Sequence, residues 1–179
     1  MMIVWAGMLH IFLTSAAFAE EFTGPVVGVS DGDLIRVMHN GRTEEIRLNG
    51  IDCPDNGQDY SPLAKQATSE LVSGREVTLN TFGKDSQGRT IADVFLPDGT
   101  NVNHILVKEG WCWWYRKHAP DDAELMRLEH EARAAKKGLW RDPSPIPPWA
   151  YRTGSPWNTF VDSMVANMRN VCSMLGLSR

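Results

Sequence analysis

The stretch Arg47-Leu-Asn-Gly-Ile-Asp52-Cys-Pro-Asp55 sets a guanidinium five residues before two carboxylates spaced three apart, with Pro54 stiffening the turn between them. Asp33 follows the Ser30-Asp31-Gly32 turn, and Arg89 follows Gly88 at the end of the Lys84–Gln87 loop. Carboxylates bind a hard cation such as calcium through oxygen. A planar guanidinium grips two phosphate oxygens and keeps its charge at any working pH. Together they suit a phosphodiester: cation and arginines stabilise charge developing on the phosphoryl oxygens, while a spare carboxylate orients or deprotonates water. Taken singly, each piece is ordinary. Asp-Gly makes turns, a strand arginine is usually a surface residue, and Asp55 alone is a loop carboxylate. Only the set, with its spacings, points to phosphoryl chemistry. The five histidines (His10, His39, His104, His118 and His130) show no metal-ligand spacing, which argues against a histidine-based mechanism.

Groups this far apart in sequence meet only where strand ends bring them together. Val26–Val29 and Leu34–Met38 read as strands joined by an Asp-Gly turn, and Asn40-Gly41 turns the chain into Thr43–Leu48, where Ile46 and Leu48 alternate with polar neighbours. Pro62 opens a helix to Ser73, with Leu63, Ala67 and Leu71 at helical spacing and Gly74 as its stop. Val77–Phe82 and Ile91–Leu96 are two further strands, and Asn101–Glu109 is a short helix. Asp121–Lys137 is a longer helix whose acidic start and basic end complement its dipole. This order predicts an α+β fold, a five-stranded OB-fold barrel with about three helices. Pro143–Pro148 reads as a proline-rich stop. Beyond it, Phe160, Val161, Met164, Val165, Met168, Val171, Cys172 and Leu175 give Trp157–Leu177 an amphipathic helical pattern. That segment is expected to dock on its own domain, on a protein partner or on a second copy. With Arg169 nearly its only base, a membrane surface is the poorer match.

The chain has 179 residues, 42% hydrophobic and 22% charged, which allows one domain with a terminal extension. A net charge of -4 excludes a protein coated in positive charge but not a local basic cleft. Residues 1–19 carry no charged side chain, hold an apolar run from Ile3 to Leu13 and end in Ala17-Phe18-Ala19, the pattern of a signal-peptidase site. The expected division is a signal peptide over 1–19, a catalytic domain over 20–152 and an extension over 153–179. The mature protein is then exported, periplasmic or secreted, with no stable membrane span; an uncleaved N-terminal anchor is the alternative, although its apolar run is short of a spanning helix. Cys53, Cys112 and Cys172 lack zinc-site spacing, and in an oxidising compartment one pair bridges and leaves an odd thiol.

Asp31-Gly32-Asp33, Arg47-Leu-x-x-Ile-Asp52-x-Pro-Asp55 and Asp85-x-x-Gly88-Arg89 resemble the signature stretches of the staphylococcal nuclease-like, or thermonuclease, family. The resemblance continues through Val102-Asn103, the Gly110–Lys117 run and Ala134–Trp140. It implies a five-stranded barrel with three helices that cuts DNA and RNA with calcium. By position, Asp33 and Asp52 would ligate the cation through side chains and Cys53 through its backbone carbonyl. Arg47 and Arg89 would clamp the phosphate, and Asp55 stands where the family has the acid proposed as general base. Gln87, Tyr115 and Arg116 fall at substrate-binding positions. By the family's fold, Cys112 should approach the turn holding Cys53, implying a Cys53–Cys112 disulfide. Four departures stand out. Asp55 replaces the usual Glu and is one methylene shorter, which implies a lower rate. Cys53 replaces a common Thr. Ser86 and Gln87 replace a lysine and a tyrosine that hold a terminal phosphate, and Arg116 falls near a nucleotide-packing tyrosine.

Trp111, Trp113, Trp114 and Tyr115 read either as base-stacking residues or as packing under the barrel, and packing is the commoner fate of aromatics. A domain that kept the barrel but only binds nucleic acid or a protein is the competing reading. The arginine–carboxylate set, present with the one conservative change at Asp55, favours the enzyme.

Overall fold

A computed structural model describes residues 20–154. The expected signal peptide and the amphipathic pattern over Trp157–Leu177 lie outside the described residues. Five strands close into a barrel: β1 (Glu21–Asp31), β2 (Leu34–His39), β3 (Arg42–Leu48), β5 (Glu76–Lys84) and β6 (Thr90–Phe95), in the order β1-β2-β3-β6-β5. All neighbours pair antiparallel except β3 with β6, which run parallel. A two-stranded ribbon of β4 (Ile51–Asp52) and β7 (Trp113–Trp114) lies apart from it. The helices are α1 (Ser61–Val72), α2 (Val102–Lys108), α3 (Ala123–Ala134) and the single turn α4 (Pro148–Arg152), with a 3-10 turn at Gly138–Arg141.

Period-two alternation puts Ile35 and Val37 of β2, Ile46 and Leu48 of β3, Val77 and Leu79 of β5, and Ala92 and Val94 of β6 inside the barrel, all buried. Register shifts in β1, at Val26/Gly28 and Val29/Asp31, bend that long strand so that it pairs with both β2 and β5. The inward set of β3 has a consequence for the site. With Ile46 and Leu48 facing in, Arg47 faces out at the strand's end.

The expected strands and the first two helices form with small shifts at their ends, except that β1 starts five residues before the expected Val26. The third helix is shorter than its charge pattern suggested. Asp122 caps it by accepting a hydrogen bond from the Leu125 N–H at 2.8 Å, and Lys136 adopts φ 50, outside helical geometry. The proline-rich stretch is not a terminus: Pro148 occupies the first turn of α4, where its missing N–H costs nothing.

Candidate active site

Three elements meet to build the centre. The turn after β1 carries Asp33, which is buried, and the Leu48 N–H donates to the Asp33 carbonyl at 2.9 Å, tying that turn to the end of β3. Helix α1 braces it from behind, because the Thr68 hydroxyl donates to the Gly32 carbonyl at 2.5 Å. Arg47 leaves β3 and places Nη2 2.6 Å from Asp52 Oδ1 and 3.0 Å from Asp33 Oδ2. Asp52 is fully buried, and its strand is fixed by pairing with β7, where Ile51 faces Trp114 and Asp52 faces Trp113. The Cys53 N–H donates to Asp33 Oδ2 at 2.8 Å, so the two acid-bearing turns are stitched directly. Cys53 is bonded to Cys112, with Cα atoms 4.1 Å apart, which joins the same turn to the segment leading into β7.

Burial dominates the electrostatics of the site. Burial, partly offset by Arg47 and reinforced by Asp52, raises the Asp33 carboxyl to a pKa of about 6. Burial also raises Asp55, with Arg152 opposing the shift. Burial works against the charge on Arg47, but Asp33 and Asp52 hold its pKa above the ordinary arginine value.

Arg152 of α4 is the residue that sequence reasoning missed. It lies 2.5 Å from Asp52 Oδ2 and 2.8 Å from Asp55 Oδ1. Gln58 was missed as well. Its Oε1 accepts from the Asp55 N–H at 2.8 Å, and its Nε2 donates to the Ile146 carbonyl at 3.1 Å, tethering the acid loop to the C-terminal arm.

The remaining expected site residues separate. Arg89 does not join this cluster among the described contacts. Its Nε donates to Asp85 Oδ2 at 2.6 Å, holding it at the head of β6, the strand beside β3. Gln87 lies with it in a shallow hollow that includes Glu44, Lys84 and Thr90. Tyr115 and Arg116 line a different feature, an open cleft of about 1210 Å³ walled by Trp114, Arg133, Trp149 and Arg152. Trp113 and Trp114 are buried, while Tyr115 is half-buried and faces Trp149, ring centroids 5.3 Å apart. The buried tryptophans Trp113 and Trp114 pack, and Tyr115 forms part of the cleft wall.

The sequence profile of the family described as "Staphylococcal nuclease homologue" matches residues 45–142. The chain belongs to that family. An "Uncharacterized endonuclease" of Escherichia coli O157:H7 is 43% identical over 145 residues, 80% of this chain and 94% of that protein. A "Micrococcal nuclease" of Shigella flexneri is 36% identical over 154 residues, 81% and 88% of the two chains. "Protein ParB" of Escherichia coli is 35% identical over 159 residues, covering 84% and 90%. Within this staphylococcal nuclease homologue, Arg47, Asp52, Asp55 and Arg89 fall inside the matched segment, whereas Asp33 and Arg152 lie outside it.

The donor set fits a hard cation in kind. Asp33 and Asp52 converge on one guanidinium, and their oxygens are hard ligands. It does not complete a shell. Among the described residues no group of three or more His, Cys, Asp or Glu side chains could hold a metal ion. A calcium ion takes six to eight oxygens, so backbone, water and substrate must supply the rest.

Proposed function

We propose that this protein is a calcium-dependent phosphodiesterase of nucleic acids, hydrolysing DNA, RNA or both. The observation that carries the reading is Arg47, whose guanidinium joins Asp33 and Asp52 at the end of β3. Its family membership and the names of its relatives support a hydrolase acting on nucleic acids.

In this reading Asp33 and Asp52 hold the cation through their carboxylates, with Cys53 offering its carbonyl. The cation supplies Lewis-acid stabilisation of a phosphoryl oxygen. Arg47, half-buried at the end of β3, would pass from its acid partners to the phosphate oxygens of the substrate and stabilise charge developing in the transition state. Arg89 would reach toward the same phosphate from β6, the strand beside β3. Asp55 takes a proton from the attacking water, a role helped by the raised affinity for protons that burial gives it. Tyr115 and Arg116 carry the adjoining nucleotides along the cleft, the ring by stacking and the guanidinium by charge.

An exported location is part of the proposal. A disulfide across the active-site turn suits an oxidising compartment, and the apolar leader ending in Ala17-Phe18-Ala19 agrees. Among the described residues no helix is long and apolar enough to cross a membrane.

The test is digestion of plasmid and heat-denatured DNA and of RNA with calcium, then with chelator. Calcium-dependent cleavage is expected. Cleavage that ignores the chelator would remove the metal assignment, and none under either condition would favour a binding module.

A further inference from the structure

The cation-binding end of the site already holds a charge from elsewhere in the chain. Arg152 Nη2 lies 2.5 Å from Asp52 Oδ2, and its Nη1 donates to Asp55 Oδ1 and Oδ2 at 2.8 and 2.9 Å. Arg47 already takes Asp52 Oδ1, so both oxygens of this buried carboxylate face a guanidinium. The two arginines are held differently. Arg47 sits on a barrel strand with a fifth of its side chain exposed, whereas 42% of the Arg152 side chain is exposed.

The arm that carries Arg152 is attached by few fixed bonds. It pairs with no strand of the barrel. Gln58 donates to its Ile146 carbonyl, and Trp149 meets Tyr115 and Trp113 across ring distances of 5.3 and 5.7 Å. Arg152, more exposed and on a one-turn helix, is rehydrated more readily than Arg47 on its barrel strand, and an incoming ion would take over the buried Asp52 charge that it leaves.

We infer that Arg152 is a built-in competitor of the cation. In the metal-free protein it neutralises Asp52 and Asp55, and a divalent ion binds only by driving its guanidinium out. The inference rests on the reading of Asp33 and Asp52 as cation ligands. Arg47 holds Asp52 Oδ1 and Arg152 holds Oδ2, so an ion ligated by Asp52 must take the oxygen that Arg152 occupies, and the ion and the seated guanidinium compete for it. Release of Arg152 frees Asp55 for water at the same moment. It also loosens the wall of the cleft that α4 contributes. The acid that would activate water is thus masked until the ion arrives.

Calcium titration calorimetry on the full chain tests this with Arg152→Gln, Arg152→Lys and Arg116→Gln. The last removes the same charge from the same cleft, but its ion-pair partner is Glu129, at 3.5 Å, rather than a site acid. Unfolding midpoints in chelator and in calcium give a second readout. Arg152→Gln should bind calcium at least tenfold more tightly than the wild type, with a larger calcium-induced rise in midpoint. Arg152→Lys should fall between them, and Arg116→Gln should stay within about threefold of the wild type. Equal affinities for wild type and Arg152→Gln, an equal gain in Arg116→Gln, or weaker binding in Arg152→Gln would overturn the inference and leave the cation reading standing. No calcium binding by any of the four proteins would overturn both.

Discussion

Gly32 packs so closely on Cys53 that a Cβ at position 32 would lie 2.8 Å from the Cys53 Cβ. The Ala64 Cβ of helix α1 would be 3.0 Å from the same point. The turn that aims Asp33 is therefore wedged between the disulfide-bearing turn and the helix behind it. Gly32→Ala should destabilise the protein by about 1–3 kcal/mol through overpacking. Because Asp33 is the next residue, activity should fall further than the lost stability explains. Thermal unfolding together with the rate on denatured DNA, measured well below the midpoint, separates the two effects.

Reduction of Cys53–Cys112 should be costly. The bridge closes a loop of 59 residues, for which chain entropy alone gives about 4 kcal/mol. The loss should be concentrated at the site, since Cys53 also donates its N–H to Asp33. Hydrogen exchange in reductant should show residues 51–55 and 112–114 losing protection before the barrel strands do. Uniform loss across the barrel would contradict this local role.

The Asp33 carboxyl, raised from 3.8 to about 6, makes the metal-free protein sensitive to pH in an unusual direction. A group whose folded pKa exceeds its unfolded value stabilises most fully below the unfolded pKa, and that contribution is lost as pH rises through the folded one. The Asp33 contribution in chelator should therefore be full below pH 3.8 and gone above about 6. Calcium competes with the same proton, so its apparent affinity should weaken as pH falls below about 6. Calcium titrations at pH 7.5, 6.5 and 5.5 check the second statement (roughly one tenfold step in proton activity apart), and Asp33→Asn should flatten the dependence.

Arg47→Lys keeps a positive charge beside Asp33 and Asp52 but removes the planar fork. A drop of about 100-fold or more in turnover is expected, the scale of losing one transition-state donor. The unfolding midpoint should change little, because the buried acids keep a cation. Arg47→Ala is a poorer probe, since it leaves the buried Asp33 without its guanidinium and Asp52 with Arg152 alone. Steady-state kinetics showing the loss in KM rather than kcat would move Arg47 from the chemistry to ground-state binding.

The barrel and its acids were legible in sequence because they follow local rules. Period-two alternation marks Ile46 and Leu48 as inward, which sends Arg47 outward, and the Asp-Gly turn delivers Asp33 beside it. The β4–β7 ribbon was not legible. Two residues a side carry no period, and the pairing of Asp52 with Trp113 depends on how the whole chain folds. Arg152 was hidden for a related reason. It sits 100 positions from Asp52, on one helical turn after a proline run that reads as an ending. Its contact is decided by how the arm packs across Tyr115 and Gln58, and no spacing rule announces that. Gln58 is likewise a polar loop residue whose two hydrogen bonds exist only in the fold.

In the proposed mechanism Asp55 is the member of the site whose reach limits the chemistry. Its N–H is fixed by Gln58 and its carboxylate is drawn to Arg152, so the backbone cannot slide to compensate for a short side chain. Adding one methylene extends the reach of the proposed base beyond its own loop. Asp55→Glu should therefore raise turnover, by roughly tenfold on the scale of general-base contributions, while Asp55→Asn should lower it by about 100-fold or more. Calcium affinity should be nearly unchanged in the first variant, because the ligands assigned to the ion are Asp33 and Asp52. Single-turnover rates on a labelled oligonucleotide at saturating calcium report the chemical step directly. A slower Asp55→Glu enzyme would mean that the shorter acid is matched to this pocket, with Arg152 and Gln58 setting its position rather than limiting it.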